Sequence, residues 1–229
     1  MISVKFIGTG GAFDAHLGNS SALIKVNGKS YLIDCGHTIY PTLVKNNLLA
    51  TYEKLLITHL HDDHCGSLST LAYHHYYILG EKLELLVPTE DFRRTIISFL
   101  SYSMGDATKF INIDKIRTEE GVGFIDTTGD HVEGMPSYAY YFTTHKETIV
   151  FSGDLGRLDN YAGRLNEIHH VSKVFQDISF YTGQEAHAYY KEVENLLGEY
   201  DVYGYHCNHL QAPDDLKLKL VANFPGLLI

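Results

Sequence analysis

A cluster of histidines and aspartates directly follows a short apolar run, and this stretch constrains the chain more than any other. Residues 55–57 are Leu-Leu-Ile, which predicts a buried strand, and His59, His61, Asp63 and His64 come next. Alternate side chains of an extended segment share a face, so His59 and His61 point the same way. A turn after His61 would let Asp63 and His64 face a second ion. Because imidazole and carboxylate suit zinc, manganese and iron, the spacing predicts a divalent metal site rather than a solvated turn.

Four polar residues of the kind found in such sites each follow a predicted strand. They are Asp34, His59, Asp154 and His206. In α/β architectures the ligand crevice lies at the carboxyl ends of the strands. We therefore expect these four side chains to converge, provided that their strands lie side by side in one orientation.

The charge balance limits the partners of the chain. There are 18 basic and 28 acidic residues, for a formal net charge of −10, which argues against a long polyanion. A small anion remains compatible because bound metals supply local positive charge. Three cysteines, no apolar run long enough to cross a membrane and no signal-peptide pattern predict a cytoplasmic protein without a membrane partner, in the host cytoplasm if the gene is viral. The length predicts one domain over residues 1–229.

The hydrophobic pattern predicts alternating strands and helices. Strands are expected at residues 4–7, 21–26, 30–33, 55–57, 83–87, 110–113, 123–126, within 135–142, and at 148–152, 173–176 and 201–205. Helices are expected at residues 41–47, 67–79, 88–102 and 185–197, and after Pro213. Asn27 and Gly28 predict a hairpin turn between the second and third strands.

The order of the motifs resembles that of the metallo-β-lactamase superfamily. The histidine motif at residues 59–64 resembles its signature, and the strand and glycine turn at residues 6–11 resemble its opening segment. Residues 34–36 resemble its Asp-Cys-Gly motif, residues 152–154 its Ser-Gly-Asp segment, and residues 205–206 its strand-terminal histidine. The resemblance implies an α/β fold, namely a four-layer αβ/βα sandwich of two mixed β-sheets.

The resemblance also implies two divalent metal ions, with zinc preferred and manganese or iron as alternatives. It assigns His59, His61 and His131 to one ion, Asp63, His64 and His206 to the other, and Asp154 to both. Two such ions can share a hydroxide that attacks the substrate, and Asp63 would orient this hydroxide or take its proton. Asp34 would support the metal loop through hydrogen bonds or lie near the substrate.

Two histidines three positions apart leave the last ligand open. His206 directly ends the strand at residues 201–205, and we prefer it as the ligand. His209 is then expected to contact substrate or to lie on the surface.

A further histidine favours phosphodiester chemistry. The segment at residues 185–188 resembles the one that carries a catalytic histidine in tRNase Z-like phosphodiesterases, which makes His187 a candidate catalytic residue. A phosphodiester needs a proton donor for its departing alkoxide, and a histidine suits that task. The alternative is a histidine in the first turn of a surface helix.

The chain also departs from tRNase Z in one segment. Only 23 positions separate His131 from Asp154, which leaves no room for a tRNA-binding arm. With the acidic balance, this disfavours tRNA or DNA and favours a small nucleotide substrate. The compact cyclic nucleotide phosphodiesterases of the anti-Pycsar type are similar in size and motif order, and homodimers are common among them. We therefore predict a homodimeric, metal-dependent phosphodiesterase acting on 3′,5′-cyclic nucleotides. The alternatives are a lactonase or thioesterase on the same scaffold, a tRNA 3′-end endonuclease, and a metal-holding binding module without turnover.

Overall fold

Two six-stranded mixed β-sheets form the centre of the protein. The computed structural model describes the backbone of residues 1–229 and every side chain except that of Glu119. The first sheet contains β1 (Ser3–Gly8), β2 (Ser21–Val26), β3 (Lys29–Ile33), β4 (Lys54–Leu56), β5 (Leu83–Val87) and β6 (Ile111–Lys115). The second contains β7 (Val122–Asp126), β8 (Tyr138–Thr143), β9 (Thr148–Phe151), β10 (Val171–Asp177), β11 (Asp201–Tyr205) and β12 (Lys219–Leu220).

Both sheets have the same topology. Each begins with three antiparallel strands and continues with parallel ones, and each follows chain order from one edge to the other. The predicted hairpin is confirmed: Val26 pairs with Lys29, and Asn27 and Gly28 both have positive φ, as a two-residue type I′ turn requires. The two halves of the chain therefore repeat one arrangement, although the sequence shows no internal repeat.

The helices are short except for one. The α-helices are α1 (Ile39–Lys45), α2 (Asp62–Cys65), α3 (Leu68–His74), α4 (Glu90–Met104), α5 (Tyr161–Asn166) and α6 (Tyr190–Val193). A π-helical turn spans His75–Leu79, and 3-10 turns span Ala107–Lys109, Thr118–Glu120, Glu194–Gly198, His209–Gln211, Val221–Asn223 and Pro225–Leu227. Within the described residues, none of the helices is both long and apolar enough to cross a membrane.

The longest helix, α4, shows why these segments are helical. Thr89 caps it by accepting a hydrogen bond from the backbone N–H of Phe92 at 3.1 Å, and two acidic residues occupy its first turn. Phe92, Ile96 and Leu100, spaced four residues apart, are buried in the hydrophobic core.

The core between the sheets is rich in aromatic rings. Phe6 of the first sheet lies 5.9, 5.4 and 5.7 Å, centroid to centroid, from Phe151, Phe175 and Tyr205 of the second. A separate cluster packs α5 and α6 onto the other face of the second sheet. The predicted α/β fold, a four-layer αβ/βα sandwich of two mixed β-sheets, is confirmed.

One predicted helix is wrong in its first part, and another is absent. Residues 185–189 are irregular, because the backbone of Ser179 hydrogen-bonds to Ala188 and Tyr190 and forms a bridge with Tyr189. Only α6 and a 3-10 turn remain of the helix expected at residues 185–197. After Pro213 the chain makes a turn instead of a helix, since Asp215 binds the side chains of Tyr190 and Lys191.

Candidate metal centre

The polar residues that follow the strands meet where the two sheets face each other. Asp34 and His206 directly follow β3 and β11, whereas His59 and Asp154 lie three residues beyond β4 and β9. All four side chains are buried. The expected convergence at the carboxyl ends of the strands is therefore present, with two residues from each sheet.

A first donor group consists of His59, His61, His131 and Asp154, whose ligand-type atoms all lie within 4.8 Å of one another. Nδ1 of His61 lies 3.0 Å from Nε2 of His59 and 3.2 Å from Nε2 of His131. Nitrogen atoms bound to a tetrahedral zinc at about 2.0–2.1 Å would lie roughly 3.3 Å apart. The spacing of the three imidazoles thus suits a common ion.

A second donor group lies beside the first and consists of Asp63, His64, Asp154 and His206. Nε2 of His64 is 3.4 Å from Oδ2 of Asp63 and 3.2 Å from Oδ1 of Asp154, and Nε2 of His206 is 3.2 Å from Oδ2 of Asp63. The other Asp154 oxygen, Oδ2, lies 3.8 Å from Nε2 of His59 in the first group. Asp154 therefore offers one oxygen to each group, which is the geometry of a bridging carboxylate.

The turn expected after His61 explains how one loop serves both groups. His61 is extended and α2 begins at the next residue, so Asp63 and His64 leave the direction of His59 and His61. The loop approaches Gly36 so closely that a Cβ there would lie 1.9 Å from the carbonyl oxygen of Asp63. Only glycine fits at this position without moving the loop.

Asp34 holds the same loop from behind. Its buried carboxylate accepts hydrogen bonds from the backbone N–H of Thr58 at 2.7 Å, the Thr58 hydroxyl at 2.8 Å and Nδ1 of His64 at 2.8 Å. The bond to Nδ1 leaves Nε2 of His64 facing Asp154. The hydrogen-bond support expected of Asp34 is thus found in the structure.

His131 joins the first donor group to the segment that carries His187. Its Nδ1 donates to the carbonyl oxygen of Ala186 at 3.1 Å, which leaves Nε2 facing His61. Gly156 packs against the same segment, where a Cβ would lie 1.8 Å from the carbonyl oxygen of Glu185. His187 is therefore placed beside the cluster by contacts from two distant parts of the chain.

One residue of the centre, Asp177, was missed by the sequence reasoning. It is buried at the end of β10, and its Oδ2 accepts from Nδ1 of His187 at 3.0 Å and from the backbone N–H of Leu155 at 3.1 Å. Its Oδ1 lies 3.5 Å from Nδ1 of His206. The rule applied to the four strand-end residues would have found it, because Asp177 also ends an apolar strand.

The pKa shifts of the histidines differ between the two donor groups. Burial lowers the pKa of His59, His61 and His131, so these imidazoles stay neutral, as metal ligands must. In the second group burial also opposes charge, but the surrounding carboxylates together outweigh it and raise the pKa of His64 and His206. Asp154 contributes to both shifts, with Asp34 for His64 and with Asp63 and Asp177 for His206. The carboxylates thus favour positive charge at this position, which a divalent cation provides.

The pKa of His187 is raised to about 9, mainly by the negative charge of Asp177 and in spite of burial. The imidazole of His187 also stacks on that of His206, with ring centroids 4.9 Å apart. A cation among the same carboxylates would compete with this proton for their charge.

Unpartnered buried atoms also bear on the metal that the fold implies. Nε2 of His64, Oδ1 of Asp154 and Oδ1 of Asp177 are buried without a hydrogen-bond partner. Two of these atoms belong to the second donor group, where a cation would satisfy them. The donors, their spacing and these atoms fit divalent metal ions.

His209 is not part of either donor group. It starts the 3-10 turn His209–Gln211, and its Nδ1 is buried without a partner. His206, the residue preferred from the sequence, is the one that reaches Asp63 and Asp154. Contact of His209 with a substrate stays a prediction.

Arg164 of α5 holds the turn that leads to His131. Its guanidinium donates to the carbonyl oxygen of Asp126 and pairs with the carboxylate of Asp130. We expect Arg164→Met to weaken metal affinity about tenfold, the lower end of effects seen when groups behind a ligand are removed. Competition with a coloured chelator measures this affinity, and the melting temperature of the chelated protein monitors folding.

Arg94→Met is the matched control, because the ion pair of Arg94 with Asp91 lies on the surface of α4. Equal metal affinity of the two variants would show that the Arg164 pair does not position His131.

Comparison with known proteins identifies relatives of this chain. A family model described as anti-Pycsar protein Apyc1 matches residues 2–219. The anti-Pycsar protein Apyc1 of Bacillus phage BSP38 is 30% identical over 224 residues, which cover 86% of this chain and 84% of that protein. The metallo-β-lactamase fold protein YhfI of Bacillus subtilis superposes with a TM-score of 0.74 at 18% identity, over 99% of this chain and 95% of YhfI. The short form of human tRNase Z superposes with a TM-score of 0.66 at 18% identity, over 94% of this chain and 97% of tRNase Z. These two structures share the metallo-β-lactamase fold with this chain.

Proposed function

Because the chain belongs to the Apyc1 family of anti-Pycsar proteins, we propose that it is a metal-dependent hydrolase of small phosphodiesters, with 3′,5′-cyclic nucleotides as substrates. The observation that carries this proposal is the position of His187 beside the two donor groups. Its Nδ1 lies 3.0 Å from Oδ2 of Asp177 and 3.7 Å from Oδ2 of Asp154. A proton donor held next to the metal ligands suits a reaction with a poor leaving group.

Each side chain near the donor groups has its own role in the proposed reaction. Two divalent ions would supply Lewis-acid activation of water and of the phosphate. Hydrogen bonds from His206 and His64 outweigh burial and lower the pKa of Asp63, so its carboxylate would accept a hydrogen bond from the attacking water and orient it. Nδ1 of His187 donates its hydrogen bond to Asp177, so Nε2 remains to give a proton to the leaving oxygen. Asp177 acts on the substrate only through His187, by fixing the tautomer and orientation of its ring.

The shape of the site supports a small substrate. The cleft over the donor groups has a volume of about 680 Å³ and is lined by His61, Asp63, His131, Asp154 and His187 among others. This volume lies in the range of pockets for small molecules. The residues between His131 and Asp154 are taken up by turns and by β8 and β9, which leaves no segment for an arm that could grasp tRNA.

The proposal extends to the metal and to assembly. We propose zinc as the resident ion, because imidazole and carboxylate donors at this spacing suit it, and a homodimer by analogy with the family. Elemental analysis of the purified protein would measure the first, and sedimentation equilibrium the second. Detection of another metal or of a monomer would correct these two assignments and leave the proposed reaction unchanged.

The test is turnover by the full chain loaded with zinc or manganese. We expect hydrolysis of at least one of cyclic AMP, GMP, CMP and UMP, its loss on chelation and its return with added metal. A lactone and a thioester are the comparison substrates. Hydrolysis of either of these with no action on any cyclic nucleotide would overturn the substrate assignment, and tight tRNA binding at physiological salt would favour tRNA processing instead.

A further inference from the structure

A second cleft adjoins the one over the donor groups. It has a volume of about 750 Å³, and the two clefts share the loop around Phe13 and the side chain of His187. One end of the second cleft is formed by His187 and His206, which belong to the candidate centre. A ligand with one end at the donor groups would therefore reach into this second cleft.

The lining of the second cleft changes away from the donor groups. Apart from His187, His206, Asp14 and His16, the polar residues of the lining are uncharged, and Tyr181, Gln184, Asn208 and Gln211 are among them. Asp14 also lines the cleft, and its Oδ1 accepts hydrogen bonds from the backbone N–H groups of His16 and Leu17. Neutral amides and aromatic faces do not suit a phosphate, but they suit a flat heterocycle with ring nitrogen and carbonyl acceptors.

Tyr181 is the residue best placed to contact such a ring. Its side chain is 59% exposed, yet its backbone is fixed, because its N–H donates to Oγ of Ser179 at 3.0 Å and its carbonyl accepts from the same hydroxyl at 3.1 Å. Its own hydroxyl donates to Oε1 of Gln211 at 3.4 Å, across the cleft wall. An aromatic ring held in this way loses little freedom when a second ring stacks on it.

Phe13 is a second exposed ring at the same cleft. It lies in the loop between β1 and β2, and its side chain is fully exposed. An isolated exposed phenylalanine is common on protein surfaces. Here it lies where the two clefts meet, so it is a secondary candidate for contact with the same ring.

We infer that the second cleft receives the nucleobase of the substrate and that Tyr181 is the surface on which the base stacks. This inference rests on the proposed function, because it assumes that the phosphate of the same molecule lies at the donor groups. Stacking does not distinguish one base from another, so the cleft accepts purines and pyrimidines alike. Tyr181 is then a determinant of substrate binding, and the proton transfers remain with other residues.

The test distinguishes contact of Tyr181 with the base from contact with the phosphate. We expect Tyr181→Ala to raise KM for cyclic AMP and cyclic CMP about tenfold or more, the loss of one base–aromatic stack, with kcat changed little. For 1-O-methylribose 3′,5′-cyclic phosphate, which lacks the base, we expect KM to change less than twofold. Tyr181→Phe keeps the ring and loses only the bond to Gln211, so it should restore most of the affinity. Tyr102→Ala, a remote exposed tyrosine on α4, controls for surface changes.

An equal rise in KM for the substrates with and without a base would overturn the inference, since Tyr181 would then act on the phosphate site or on the fold. If Tyr181→Ala does not fold, Gln211→Ala takes its place, with a rise in KM expected only for substrates that carry a base. If the wild-type protein cleaves no cyclic nucleotide, the proposed function fails, and calorimetry still decides the inference. AMP should then bind more tightly than ribose 5-phosphate, and Tyr181→Ala should abolish the difference, whereas an unchanged difference would refute it.

Discussion

Replacing His187 with alanine should lower kcat for a cyclic nucleotide by about a hundredfold to ten-thousandfold, the usual range for loss of a general acid. The reason is its place beside Asp154 and its bond to Asp177, which leaves Nε2 to protonate the leaving oxygen. A p-nitrophenyl phosphodiester has a leaving group that needs no proton, so its hydrolysis should fall far less. Steady-state kinetics with both substrates measures the difference.

The control for this experiment is His169→Ala, because His169 is exposed and lies outside both donor groups. Metal content should be measured on each variant. Equal losses on the two substrates, or loss of bound metal from His187→Ala, would show that His187 supports the metal site and does not protonate the leaving group.

Asp34→Ala should lower the free energy of unfolding of the chelated protein by about 3–5 kcal/mol, the cost of breaking a buried ion pair. The substitution leaves the Thr58 N–H, the Thr58 hydroxyl and Nδ1 of His64 without their acceptor in a buried site. It also places alanine at a φ of +58°, which aspartate and asparagine tolerate better. Urea unfolding of the chelated protein separates this effect from lost metal.

Asp91→Ala is the matched control, because the carboxylate of Asp91 pairs with Arg94 on the surface, where such a pair contributes less than about 1 kcal/mol. Asp34→Asn keeps the backbone conformation and one acceptor oxygen, so it should fall between the two. A urea midpoint for Asp34→Ala equal to that of Asp91→Ala would refute the argument.

The local part of the site could be predicted from the sequence. The ligand types at residues 59–64 are read directly from the sequence, and the geometry of an extended segment predicts that His59 and His61 share a direction. The position of Asp34, Asp154 and His206 at the ends of strands predicted that they would lie near these ligands. His131 depended on the family resemblance, because it lies in an irregular turn five residues after β7. No periodicity marks such a position. His131 bonds to the carbonyl of Ala186, and Arg164 holds the preceding turn at Asp126 and Asp130, so both supports are remote in sequence.

The segment around His187 shows why the remaining features could not be predicted. Apolar residues at residues 188, 190, 193 and 196–197 have helical spacing, so the pattern favours a helix that begins near residue 185. In the structure Ser179 pairs with Ala188 and Tyr190, and Gly156 contacts the carbonyl of Glu185. These tertiary bonds override the local preference. Because the irregular backbone brings Ala186 to His131, the same departure places His187 at the site.

Each donor group draws half of its side chains from each sheet. His59 and His61 follow β4 while His131 and Asp154 follow strands of the second sheet, and the second group is divided in the same way. A cation at either position would therefore act as a clasp between the two halves of the chain, and its binding free energy would add to that of folding. In a cell short of the metal, the protein would then lose conformational stability as well as activity.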